Sequence, residues 1–147
     1  MNKLVFLKIA LCVGALYYAI GGFAHWFGLT IFPWFVGRLY APYQDSVIAV
    51  VCLVLIAFLL MTARDPIKNI DALKVIISFI FIASIFSVLI IYKVNFRALG
   101  APAKELQTIV EGVLGFVYGF ILLWLYPAQS LNGRHQGERI DKKQESD

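Results

Sequence analysis

The sequence is short of charge. Asp, Glu, Lys and Arg supply only 15% of its 147 residues, where soluble domains carry about 25%. Cysteine and histidine are scarce too, with two of each. Each shortage excludes something. Hydrophobic residues make up 61% of the chain, against about 45–50% in soluble domains. The few charged groups left cannot cover a solvated globule. Two cysteines cannot build the disulfide framework of a small secreted domain. Cys12 and Cys52 sit in separate apolar runs. On antiparallel helices rising about 1.5 Å per residue, their depths in a bilayer core differ by roughly 9 Å, too far for a disulfide. Both read as small buried hydrophobes. His135 lies in a polar tail, which leaves His25 as the only histidine in an apolar run. One chain therefore cannot hold haem between two histidines. No HExxH, CxxC, phosphate-loop or nucleophile-elbow pattern occurs. No metal and no cofactor is expected from these residues.

What is present is apolar and contiguous. The mean hydropathy is +0.79, and the excess falls in four runs, at about 4–27, 46–63, 72–92 and 106–126. Roughly 20 apolar residues cross the hydrocarbon core as a helix. The first run outlasts the h-region of a signal peptide, so it reads as a retained transmembrane helix. Lys8, about one turn inside it, can snorkel to the interface. The link after Ala63 is short and polar, running through Arg64-Asp65-Pro66 and Lys68-Asn69. Such a link requires antiparallel neighbours. Pro127 stops the fourth run. The expected fold is all-α, an antiparallel four-transmembrane-helix bundle over residues 1–127. Residues 128–147 are polar and nearly free of large apolar side chains. They are expected to form a disordered cytoplasmic tail.

Net charge is +4 and the pI about 9.1. The charges lie in loops and tail, so membrane topology accounts for them and no nucleic-acid partner is expected. Lys3, Lys8, Arg64, Lys68, Lys74, Arg134, Arg139, Lys142 and Lys143 fall on one side. Arg38, Lys93, Arg97 and Lys104 fall on the other. The positive-inside rule then puts both termini in the cytoplasm. The location expected is the prokaryotic cytoplasmic (inner) membrane. The partners are the lipid bilayer and either a second copy of the chain or other membrane subunits.

The most distinctive stretch is Gly21 to Asp45, GGFAHWFGLTIFPWFVGRLYAPYQD. Pro33 and Pro42 resist continuous helix. Trp26, Trp34, Tyr40 and Tyr43 suit the headgroup layer. Asp45 or Ser46 is a plausible cap for the second helix. This topology gathers the polar residues of one end at the outer face. His25, Arg38, Asp45, Arg97 and Glu111 form the candidate pocket. Glu111 is the focus, because an ionisable group inside a membrane segment is expensive and by default functional. Its expected partners are His25, Arg97 and Arg38. A carboxylate near a helix N-terminus is also favoured by the macrodipole, which is the structural reading of the same residue. Gly14, Tyr18, Gly21 and His25 share one face of helix 1, and Glu111, Gly115 and Tyr118 one face of helix 4. Gly112, Gly115 and Gly119 form a small-residue packing stripe.

This layout resembles the DoxX-like and BphX-like groups of small four-helix bacterial membrane proteins. The resemblance rests on Lys8, Gly14, Gly21 and His25 in helix 1, in that order, and on the Ala63-Arg64-Asp65-Pro66 turn. It departs at Lys8, which stands six residues before Gly14 where the pattern expects a closer arginine. It implies a four-helix bundle and, through a DoxD-like branch, a membrane subunit linked to quinone reduction. It assigns no residue a role. The leading expectation is a non-enzymatic membrane protein, an accessory subunit or small-ligand binder with a polar pocket at the outer end. The alternatives are a membrane subunit of a quinone-linked oxidoreductase, with quinone as its cofactor, and an oligomeric conductor of protons or solutes.

Overall fold

The computed structural model describes residues 3–31 and 37–127. It contains four α-helices, α1 (Lys3–Phe27), α2 (Pro42–Arg64), α3 (Ile70–Lys93) and α4 (Ala103–Trp124), with a 3-10 turn at Gly37–Leu39. All four are long and apolar enough to cross a membrane. This is the build of a multi-pass membrane protein. Large apolar side chains such as Leu16, Leu53, Phe86 and Phe120 point outward. In water that surface would be costly, whereas in lipid it is the ordinary exterior. The expectations for Pro33, Trp34 and the tail from residue 128 lie outside the described residues.

The helix ends follow local chemistry. Gly28 closes α1 with φ +63°. Its amide donates to the His25 carbonyl and the Leu29 amide to the Ala24 carbonyl, the Schellman arrangement that glycine permits. α2 begins at Pro42, four residues earlier than the sequence run implied. Pro42 does not block this helix, because at the first helical position proline has no amide partner to lose. Asp45 is accordingly not the residue preceding the helix. It lies in the first turn and accepts a 2.6 Å hydrogen bond from the Ala41 amide. At the far end, the Asn69 side-chain amide donates to the Met61 and Asp65 carbonyls. That satisfies the last turn of α2 across the 65–69 link. α4 starts at Ala103 and ends at Trp124, before Leu125 and the Pro127 stop.

Neighbours are antiparallel. His25 at the end of α1 meets Asp45 at the start of α2, and Lys8 reaches the Arg64 carbonyl at the end of α2. Gly112, Gly115 and Gly119 of α4 face Val88, Ser84 and Phe81 of α3. The packing is uneven. α1 lies along α2 and α3 along α4, while the two pairs touch each other only sparingly. Their common core is at the Lys8 end: Leu7, Leu11 and Ala15 pack with Leu59 and Ala63, with Leu73, Ile76, Ile77 and Ile80, and with Leu122. Beyond that plug the pairs part.

The polar groups inside the helices are largely satisfied at home. Ser84 donates to the Ile80 carbonyl at 2.7 Å, Thr62 to Phe58 and Thr108 to Lys104. Each is a bond to the carbonyl four residues back. Both cysteines are free, as expected. Cys52 is buried against Gly22, but Cys12 is exposed on the outer face of α1 rather than buried.

Candidate functional site

The five residues expected in one pocket fall into four separate sets of contacts. His25 and Asp45 form the tightest. Nδ1 of His25 lies 2.6 Å from Oδ1 of Asp45. The other carboxylate oxygen is held by the Ala41 amide. A carboxylate only accepts, so with Asp45 ionised the proton between them sits on Nδ1. The Asp45 side chain is 6% exposed and that of His25 19%. The pair ties the end of α1 to the start of α2. Arg38 donates to the Gly100 carbonyl at 3.3 Å and so joins the loop after α1 to the loop before α4. Arg97 faces Glu105 at 3.8 Å across exposed surface, where an ion pair contributes little.

Glu111 keeps different company. Its carboxylate lies 3.5 Å from the Lys104 ammonium, two turns earlier on the same helix, and not beside His25, Arg38 or Arg97. Helical side chains lean toward the N-terminus, so Glu111 reaches up the helix toward Lys104. Both side chains are about one-fifth exposed. Glu111 also lines a cavity that none of the other four residues touches.

That cavity has a volume of about 500 Å³. It opens above the common core, where α1 parts from the α3–α4 pair. Its walls are Val13, Gly14, Tyr17 and Tyr18 from α1, Phe79, Ile80, Ala83, Ser84 and Ser87 from α3, and Glu111, Leu114, Gly115, Val117, Tyr118 and Ile121 from α4. The size suits a small amphipathic ligand, since ligand sites run about 300–1,000 Å³. Two glycines shape it. A Cβ at Gly14 would collide with the Tyr118 hydroxyl, and one at Gly115 with Ser84 Oγ. The Tyr118 hydroxyl donates to the Ala10 carbonyl at 3.0 Å and pins α4 to α1 across the floor. Tyr17 and Tyr18 meet edge to face, with centroids 5.5 Å apart.

No family model, curated protein or solved structure matches this chain. Its site is defined by its own chemistry. Among the described residues no group of three or more His, Cys, Asp or Glu side chains could hold a metal ion. What the cavity offers is an apolar chamber with one carboxylate, three tyrosines and two serines. It can hold a molecule with an apolar body and a polar head.

Sequence reasoning found Glu111 and the shared face of Gly14 and Tyr18. It placed the glycines of α4 in helix packing, and it passed over Tyr17 and Lys104. A signal for the last was available. Residues seven apart on a helix lie on one face, so Lys104 and Glu111 share a stripe.

Proposed function

We propose that this chain is a ligand-binding membrane protein whose site is the cavity between α1 and the α3–α4 pair. The observation that carries the reading is the composition of that cavity: about 500 Å³, apolar along most of its wall, with a single carboxylate among its lining groups. The site lies within the spans and not at their mouths. At 1.5 Å per residue, Glu111 is about 12 Å from the start of α4. Around it the helices expose apolar surface, so the route of entry is lateral, from the bilayer.

The test uses the full chain in lipid nanodiscs and photoreactive decyl amphiphiles. Crosslinks should map to Tyr17, Val117 and Tyr118. Ala83→Trp, which fills the cavity, should reduce labelling at these residues at least about tenfold. Phe86→Trp, on the outward face of the same helix, should leave it unchanged. Labelling spread over the outward faces, or labelling indifferent to Ala83→Trp, would refute the site.

The orientation follows from the placement of lysine and arginine, with both termini in the cytoplasm. It rests on sequence and has its own test. In a cysteine-free background, Ala98→Cys should react with a membrane-impermeant maleimide added to intact cells. Lys68→Cys should react only after the membrane is broken. The reverse pattern would invert the topology.

A further inference from the structure

The site's one charged group says what kind of head it receives. Among the residues that line the cavity, Glu111 alone carries a formal charge. The remaining polar lining groups are hydroxyls, among them Ser84, which donates to the Ile80 carbonyl, and Tyr118, which donates to the Ala10 carbonyl. Glu111 is not left bare, because Lys104 compensates it. That pair is loose. Its 3.5 Å separation exceeds the 2.7–2.9 Å usual for a charge-assisted bond. Lys104 lies in the first turn of α4 and is not itself a lining residue. A lysine there can swing its ammonium out to the interface while its stem stays on apolar surface. Its departure would strand a carboxylate inside the span, which is costly. Replacement by another cation removes that cost.

A further feature fits a cation. On the opposite wall, Tyr18 is about 14 Å from the end of α1 at 1.5 Å per residue, close to the depth of Glu111. Tyrosine rings attract a nearby ammonium through their faces. Below this level the lining turns apolar, with Phe79, Ile80, Val117 and Ile121. The run from Glu111 to Ile121 spans about 15 Å, enough for a medium-length alkyl chain.

From this we infer that the cavity is selective for amphiphilic amines: a protonated ammonium head exchanges with Lys104 at Glu111, and the apolar body lies between α1 and the α3–α4 pair. The inference rests on the ligand-binding reading above and adds the charge of the ligand to it. Exchange of one cation for another keeps the carboxylate paired throughout, so binding requires no buried unpaired charge.

The experiment compares decylammonium, decanol and decanoate. Binding to the full chain is measured in zwitterionic nanodiscs, with empty discs subtracted. Wild type should bind decylammonium at least about tenfold more tightly than decanol, and decanoate weakest. Glu111→Gln should bring decylammonium to within about threefold of decanol. Glu111→Asp should keep most of the preference. Lys104→Ala should raise decylammonium affinity, because the internal competitor is gone. Decanol binding as tightly as decylammonium, or a preference that survives Glu111→Gln, would overturn the amine assignment. The cavity would still stand in either case, provided Ala83→Trp abolished decanol binding. If none of the three bound, or Ala83→Trp had no effect on any of them, both readings would fall.

Discussion

Asp45 serves two groups at once, and its energetic role follows from that. One oxygen holds the His25 ring and the other the Ala41 amide, with the residue 5% exposed. Asp45→Ala would leave both donors short of a partner near the end of the bundle. The expected loss is about 1.5–3 kcal/mol, the range for hydrogen bonds to a charged group. Thermal unfolding in a mild detergent should show it. Combined with His25→Ala, the effects should be clearly less than additive, because the two residues share one interaction. Additive losses would mean that the pair is a contact without coupling. The sequence marked both residues as polar and near one end, but nothing in it paired them. The pairing needs the end of α1 beside the start of α2, and those ends are set by the Schellman turn at Gly28 and the start of α2 at Pro42.

At the scale of the helix, the glycines of α4 are positions where backbone approaches side chain. A Cβ at Gly115 would collide with Ser84 Oγ, whereas Ser84 Cβ stands at 3.4 Å. Gly115→Ala should therefore cost about 1–3 kcal/mol, as overpacking does. Gly115→Ala with Ser84→Ala should recover most of the loss, since the obstructing hydroxyl is gone. No recovery would place the strain in the backbone. The spacing of Gly112, Gly115 and Gly119 announced a packing stripe, and α3 fills it. Spacing could not announce that Gly115 and Ser84 also border a cavity. That depends on how far α1 stands from the same face.

For the molecule as a whole, stability is concentrated at the Lys8 end. Leu73 is fully buried where all four helices meet. Leu73→Ala should cost about 2–5 kcal/mol, the range for large-to-alanine changes in a core. Leu53→Ala, at a residue 65% exposed on α2, should stay within about 0.5 kcal/mol, as surface changes do. Equal losses at the two sites would mean that the outward face of α2 is itself covered by another helix. The same concentration frees the other half of the bundle. Helices joined by a dense plug at one end can part above it, and there the cavity forms.

The number of helices, their approximate spans, the polar link at 65–69 and the intramembrane carboxylate were all legible in the amino-acid sequence. They depend on runs of apolar residues long enough for a bilayer and on charges too costly to place inside one. Those are local properties. Which helices pair closely, the partner of Glu111, the bond between His25 and Asp45, and the empty volume beside Tyr17 and Tyr18 were decided only by the tertiary structure. Each depends on distances between segments far apart in the chain. Side-chain size and helix rotation set those distances, and neither is written in the periodicity of a single run.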